Sequence, residues 1–220
     1  MAAAGNGHYA VVDCFTKMSK INIEKLIMAK SVEGMTALCY AASNGHTRVS
    51  KLLIERVGPS RRRDLNMSQD SLGRTALMLA ASQAHLSTVR LLVEFEEGGD
   101  DLLFAKARRS IQGWTALSMA SSCKKEGASE VVRYLAEKGG KPLQLVRTER
   151  PHDGWTPMMI AARKNNLESV ERLADLGGKG VLMATNKASL ELRSCMMKYP
   201  FYAIAELVGE VVATVGDECH

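Results

Sequence analysis

Few residues in this chain have the types and spacing that chemistry requires. Gly5-Asn6-Gly7-His8-Tyr9-Ala10 carries the glycine spacing with which a dinucleotide-binding turn receives a pyrophosphate. No apolar strand precedes it and no βαβ pattern surrounds it, so a flexible start is expected there. Gly178-Lys179 is the dipeptide of a phosphate loop, yet the glycine five positions before Gly178 and the Ser or Thr after the lysine are missing. Gly140-Lys141-Pro142 fails in the same way. Cys219-His220 offers two metal-ligand types without the second pair that a tetrahedral site needs. No catalytic residue, cofactor or metal is expected from these clusters. An enzyme would need a nucleophile assembled from distant parts of the chain, with perturbed acids or histidines in a pocket.

The five cysteines, Cys14, Cys39, Cys123, Cys195 and Cys219, form no Cys-x-x-Cys pair, and their odd number does not complete a disulfide framework. A reducing interior, the cytoplasm or the nucleus, is the expected setting. Asn66-Met67-Ser68 spells a glycosylation acceptor that has meaning only in a secreted chain. The N-terminus has neither a basic leader nor a continuous apolar run, so no signal peptide is expected. Phe201 to Val215 is the most apolar segment, and Glu206 and Glu210 interrupt it well short of a membrane span.

The elements that position these residues are set by a repeat. Gly34-Met-Thr-Ala-Leu, Gly73-Arg-Thr-Ala-Leu, Gly113-Trp-Thr-Ala-Leu and Gly154-Trp-Thr-Pro-Met recur, each followed by a small pair: Ala41-Ala42, Ala80-Ala81, Ala120-Ser121 and Ala161-Ala162. From Gly34 to Gly73 is 39 residues, from Gly73 to Gly113 is 40, and from Gly113 to Gly154 is 41. A fixed period of this length describes an array of similar units rather than one convoluted core.

Within a unit, the threonine is a helix N-cap whose hydroxyl can accept from a first-turn amide, and Pro157 occupies a first-turn place that needs no amide hydrogen. Leu38, Tyr40, Ala41 and Ala42 share a helix face, as do Leu77, Leu79, Ala80 and Ala81. Asn44-Gly45-His46 stops this helix, because glycine adopts the left-handed backbone without steric penalty. A second helix follows through Val49, Leu52, Leu53 and Ile54, with counterparts at Val89 to Val93, at Val131, Val132 and Leu135, and at Val170 and Leu173. Gly98-Gly99, Gly139-Gly140 and Gly177-Gly178 are expected to end three of these second helices. His46 and His85 fall at one repeat position, which points to turn geometry rather than to catalysis or metal binding. Each unit is thus two antiparallel helices and an extended connector, too small to bury its apolar surface without stacking.

The phrase Gly-x-Thr-Ala-Leu-x-x-Ala-Ala-x-x-Gly-His, followed by Val and Leu-Leu, resembles the ankyrin repeat, most closely over residues 34–55. The resemblance implies an all-α solenoid: four repeats over residues 31–180, a degenerate N-terminal capping repeat over 1–30 and degenerate C-terminal capping helices over 181–220. Val12, Phe15, Leu26 and Ile27 are expected to point inward in the first cap, and Pro200 to open the second helix of the last. The chain departs from the family pattern in several places. The histidine usual after Thr-Pro-Leu is replaced by Cys39, Met78, Ser118 and Met159, so its bond to the cap threonine is expected to be lost. Gly-His becomes Ala84-His85 and Asn165-Asn166, and three residues are inserted between Cys123 and Val131. The period exceeds the family's 33, with most of the excess in connectors such as residues 59–72. Long connectors, Gly-Gly endings and the recurring Gly-Trp-Thr resemble the large ankyrin-protein families of parasitic protozoa.

The resemblance further implies binding of a protein partner through hairpin tips and the exposed edge of the first helix, which line a concave face in this family. The positions carried over are Met35, Ser43 and Asn44; Arg74, Ser82 and Gln83; Trp114 and Ser122; and Trp155, Arg163 and Lys164. Met35, Arg74, Trp114 and Trp155 form one row, in which the tryptophans either anchor a partner or lie flat on the neighbouring connector. A scaffold or adaptor, monomeric by itself and without a membrane, is the expected function. The net charge of +5 admits a polyanion but does not require one. Arg61-Arg62-Arg63 is expected in a solvated mobile loop, and Glu96, Glu97, Asp100 and Asp101 offset Lys106, Arg108 and Arg109. Nucleic acid is therefore not the expected partner.

Overall fold

The computed structural model describes residues 1–18, 22–95, 101–104, 113–138 and 156–183. Trp155, Gly98-Gly99, Gly139-Gly140, the acidic and basic residues at 96–100 and 106–109, and residues 184–220 of the expected C-terminal cap lie outside the described residues. The elements are α1 (Ala2–Gly5), α2 (Tyr9–Lys17) and α3 (Ile23–Met28); α4 (Ala37–Ser43), α5 (Thr47–Arg56) and α6 (Pro59–Asn66); α7 (Ala76–Ser82), α8 (Leu86–Glu94) and α9 (Asp101–Phe104); α10 (Ala116–Ser122) and α11 (Ala128–Lys138); and α12 (Pro157–Arg163) and α13 (Leu167–Met183). No strand occurs among the described residues. The inner helices α1, α4, α7, α10 and α12 pack in chain order, and the outer helices α2, α5, α8, α11 and α13 do the same. This is an all-α solenoid.

The inner helices α4, α7, α10 and α12 each start where the sequence places a cap. The hydroxyls of Thr36, Thr75, Thr115 and Thr156 accept from the backbone N–H of Cys39, Met78, Ser118 and Met159 at 3.3 to 3.4 Å. The residue that replaces the family histidine still touches the cap in three units. Thr36 Oγ1 donates to Cys39 Sγ at 3.4 Å, Thr115 and Ser118 share a hydroxyl bond of 3.3 Å, and Thr156 N–H donates to Met159 Sδ at 3.4 Å. The expected loss therefore holds only at Met78, whose side chain makes no bond to its cap, because thiol, hydroxyl and thioether can each stand in for an imidazole.

The units stack through small residues. Ala41, Ala42, Ala80, Ala81, Ala120, Ser121, Ala161 and Ala162 are buried, so neighbouring inner helices approach closely, while Leu38, Leu77 and Leu117 fill the space behind them. The core is one continuous cluster from Ala4 to Leu173. The hairpins between units stack as well. Gly34 has φ +74°, and a Cβ there would lie 2.8 Å from the backbone nitrogen of Ser71, which donates to the Glu33 carbonyl. Both the positive φ and the close approach exclude a side chain at this position.

Five expectations from the sequence give way. The connectors are not merely extended: α6 and α9 insert a short third helix that lengthens the first two repeats and buries Leu65, Leu102 and Leu103, while α3, the second helix of the pair expected between Tyr9 and Ala29, takes the same place in the cap and buries Ile27. Arg61-Arg62-Arg63 consequently lies on α6 rather than in a mobile loop, with Arg61 paired to Asp64 at 3.6 Å and Arg62 over the Phe95 ring at 5.6 Å. Gly177-Gly178 does not end its helix, since α13 continues to Met183. Glycine in a helix interior costs about 1 kcal/mol against alanine, which good helix formers on either side can offset. Finally, Gly5 to Ala10 is ordered as the end of α1, a turn and the start of α2, repeating the Ala-Ala-x-Asn-Gly-His phrase. Val12 and Ile27 point inward there as expected, whereas Phe15 and Leu26 are exposed.

Candidate interaction surface

The turns between inner and outer helices hold the units in register. His46 Nε2 lies 2.9 Å from the Gly5 carbonyl and His85 Nε2 lies 3.1 Å from the Ser43 carbonyl, one unit back in each case. A carbonyl only accepts, so Nε2 carries the hydrogen in both rings. In the fourth unit Asn166 Nδ2 makes the same link, 2.6 Å to the Cys123 carbonyl. The third unit has Gly127 directly before α11, and the inserted residues supply another tie, with Lys125 Nζ bonded to Gln83 Oε1. Burial lowers the pKa of His85, and the charges of Lys125 and His46 act in the same direction. The two histidines are thus inter-unit clamps, in keeping with the turn role read from their spacing.

The outer helices carry their own cross-links. Arg56 reaches Asp13 at 3.0 Å and Arg48 lies 5.0 Å from the Tyr9 ring centroid, joining α5 to α2. Thr47 and Thr88 share a bond of 2.8 Å between α5 and α8, Arg90 lies over Tyr134 between α8 and α11, and Arg172 reaches Glu130 at 3.8 Å between α13 and α11. Lys17 and Arg56 hold the Asp13 carboxyl below the usual carboxylate range.

With the register fixed, the carried-over positions can be located one by one. Ser43, Ser82 and Ser122 stand at the same place on α4, α7 and α10, each half-buried and each donating to the carbonyl three residues back at 2.8 to 3.1 Å. Arg163 takes that place on α12 and is exposed, as is Lys164 beside it. Asn44 is exposed, and its amide donates to the Gly5 carbonyl at 2.7 Å. Gln83 is half-buried under Lys125. These residues form a row along the ends of the inner helices, made cationic by exposed Lys124 and Lys125 in the third unit and by Arg163 and Lys164 in the fourth.

The second row is less uniform than its shared letter suggests. Met35 is only 7% exposed and belongs to the core, so its side chain is withdrawn from any partner. Arg74 folds back on its own hairpin: Nε and the guanidinium reach Asp70 Oδ2 at 2.8 Å, while Asp70 Oδ1 accepts from the Leu72 and Arg74 amides. Trp114 is half-buried and packs against the core. The signal for the Arg74 contact was legible as Asp70 four residues earlier, the same spacing that joins Ser31 Oγ to the Met35 amide in the first hairpin.

Little on this surface resembles reactive chemistry. Burial pushes the Cys39 thiol up from its ordinary range, and its contact is to the cap threonine. Among the described residues no group of three or more His, Cys, Asp or Glu is placed to hold a metal ion, and no helix is long and apolar enough to cross a membrane.

A search among curated proteins returns no match. The family described as Ankyrin repeats (3 copies) matches residues 1–103, 61–145 and 101–183, which together span most of the chain and include the N-terminal helices. Stacked helix pairs, threonine caps, left-handed turns and this match converge: the chain belongs to the ankyrin-repeat family.

Proposed function

We propose that this chain is a scaffold or adaptor that binds a protein partner along the row of inner-helix ends at Ser43, Asn44, Ser82, Gln83, Ser122, Arg163 and Lys164. Ankyrin repeats are generally protein-interaction modules. The observation that carries the reading is the register of Ser43, Ser82, Ser122 and Arg163 on consecutive units whose turns are bonded to one another. A surface ordered before binding avoids part of the entropy cost of association. The serine hydroxyls spend their hydrogens within their own helices and retain acceptor lone pairs. Gln83 and the cations at its far end suit a partner that offers amides and carboxylates. Trp114, Trp155 and Arg74 stand as flanking contacts in this proposal, and no residue is given a catalytic role.

The test is crosslinking mass spectrometry of the native complex, followed by affinity measurements with the partner it identifies. Crosslinks are expected at Lys124, Lys125 and Lys164. The double variant Ser82→Arg/Ser122→Arg should weaken binding at least tenfold at an unchanged urea midpoint, because a cation near a helix C-terminus is tolerated. Crosslinks confined to Lys51 and Lys138 on the outer helices, with unaltered affinity in the double variant, would sink the idea. Trp114→Ala separates the two roles of the indole: lower stability with unchanged affinity assigns it to the stack. Polyanion binding is the rival reading and predicts affinity that falls steeply with salt. The pairing of Arg61 with Asp64 and of Arg62 with Phe95 argues against it.

A further inference from the structure

The row of inner-helix ends changes character half-way along the array. Helices α4 and α7 finish in Ser43-Asn44 and Ser82-Gln83, which are neutral, so an inner helix does not need a cation at its C-terminus even though the dipole favours one. The third and fourth units nevertheless place four exposed cations there, Lys124, Lys125, Arg163 and Lys164, against two carboxylates, Glu126 and Glu168. The bond of 2.6 Å from Asn166 Nδ2 to the Cys123 carbonyl ties the two turns together, and with them the like charges on either side of it. Among the described residues no carboxylate pairs with Lys124, Lys125 or Lys164, whereas Lys17, Lys51, Arg56, Arg133 and Arg172 on the outer helices each have one. Lys125 instead bonds the neutral amide of Gln83, which holds its charge on the row without cancelling it.

A second set of groups recurs along the row. Ser43, Ser82 and Ser122 donate their hydroxyl hydrogens to carbonyls of their own helices, so each half-buried Oγ is left to a ligand only as an acceptor. The row therefore calls for N–H donors at three consecutive units and for anions at the third and fourth.

We propose that its occupant is an extended acidic peptide segment, whose backbone N–H groups meet the three serines and whose carboxylates, three residues apart, meet the cations of the third and fourth units. The inference rests on the partner-binding reading of the same row and adds the chemistry of the partner. Spacing selects the conformation: packed helices lie about 8–10 Å apart, and a polyproline-II segment advances about 9 Å in its turn of about three residues. Residues i and i+3 of such a segment thus fall on one face, one unit apart. That conformation forms no internal hydrogen bonds and keeps its N–H groups for the serines, whereas an α-helical partner has already spent them. A DNA strand offers anions but no backbone N–H, and it stacks its bases on aromatic rings, which the row positions do not carry.

Fluorescence polarisation on the full chain tests this with a labelled twelve-residue peptide of threonine and glutamine that carries two glutamates three residues apart. It is expected to bind at least tenfold more tightly than the peptide with glutamine in place of both glutamates. It should also bind more tightly than an isomer with the glutamates two residues apart, which a polyproline-II turn sets on different faces. Lys124→Glu/Lys164→Glu should weaken binding at least tenfold and Lys124→Gln/Lys164→Gln by less, both at an unchanged urea midpoint. Lys51→Glu/Lys138→Glu, which alters the net charge equally on the outer helices, should bind as the wild type does. Equal affinity for the three peptides, full affinity in Lys124→Glu/Lys164→Glu, or an equal loss in Lys51→Glu/Lys138→Glu would each overturn the proposal. Displacement of the peptide by single-stranded DNA at a lower concentration than the unlabelled peptide needs would overturn it too, because the row would then be a phosphodiester site. A native partner that is lost on Ser82→Arg/Ser122→Arg while the glutamates confer no preference would defeat this inference and leave the partner-binding row standing. A glutamate peptide that binds as expected while the native partner crosslinks only to Lys51 and Lys138 would uphold the peptide site and defeat the other reading.

Discussion

Whether a turn between paired helices can hold a side chain is decided by the residue that the next unit lays over it. Gly7, Gly45, Ala84 and Asn165 occupy the same place, all with positive φ, from 54° to 74°. A Cβ on Gly7 would lie 2.5 Å from the His46 ring, and one on Gly45 would lie 2.7 Å from the His85 ring. After Ala84 the next unit has Gly127 in the place of the histidine, so no imidazole covers the turn and alanine fits, at the cost of a left-handed backbone. Ala84→Gly should therefore stabilise by about 0.5–1 kcal/mol, the difference between relief of the αL cost and the greater freedom of glycine in the unfolded chain. Gly45→Ala should destabilise by at least about 1–2 kcal/mol, because strain and the ring contact add. Urea denaturation of the two variants measures both, and equal effects at the two sites would refute the clamp.

The same clamp makes stability depend on pH. The pKa of His85 is lowered in the folded chain, so between that value and the ordinary imidazole value of 6.5 the unfolded chain binds more protons. The contribution of His85 is fully present above 6.5 and is lost as pH falls through the folded value. His85→Asn keeps a donor for the Ser43 carbonyl, as Asn166 does for Cys123, but cannot titrate. The drop in urea midpoint between about pH 7.5 and about pH 5.5, the range in which a histidine titrates, should be smaller in His85→Asn than in the wild type. An equal drop would remove His85 as its source.

At the scale of the element, the third helices α6 and α9 are what lengthen the first two repeats. Leu65 on α6 is fully buried, so Leu65→Ala should cost about 2–5 kcal/mol by calorimetry or urea unfolding, as core leucines do. An effect within error would return this segment to the status of a loop. The element was hard to read because Pro59-Ser-Arg-Arg-Arg-Asp-Leu-Asn has one large apolar residue, too few to show a helical period. Gly58-Pro59 was its legible cue, a positive-φ glycine before a proline that suits a first helical turn. The inner helices α4, α7, α10 and α12 were legible in full, since threonine, leucine or methionine and the small pair each answer a separate physical demand: a cap, a filled space and close approach; α1, which lacks the threonine, was not. The partner row was only partly legible. Repeat position locates Ser43, Ser82 and Ser122, but burial of Met35 depends on its packing into the core cluster, and retraction of Arg74 depends on a carboxylate in its own turn. Neither follows from the repeat phrase alone.

At the scale of the molecule, the question is whether the units act singly or together. A repeat array behaves as a sum of intrinsic unit stabilities and nearest-neighbour terms. Here the outer helices are cross-linked at every described joint, by Asp13–Arg56, Thr47–Thr88, Arg90–Tyr134 and Glu130–Arg172, and the core runs unbroken beneath them. Strong joints between units that are unstable alone give cooperative unfolding. Leu38 lies in the first complete unit and Trp114 just before α10, two units further on, so the pair can report on this coupling. Leu38→Ala should lower the unfolding midpoint seen by tryptophan fluorescence and by circular dichroism by the same amount, with both curves remaining single transitions. If the fluorescence midpoint stays in place while the dichroism curve broadens or splits, the joints do not transmit. The array would then be a chain of independent units rather than one rigid surface, and a preordered row of contacts across four of them would lose its physical basis.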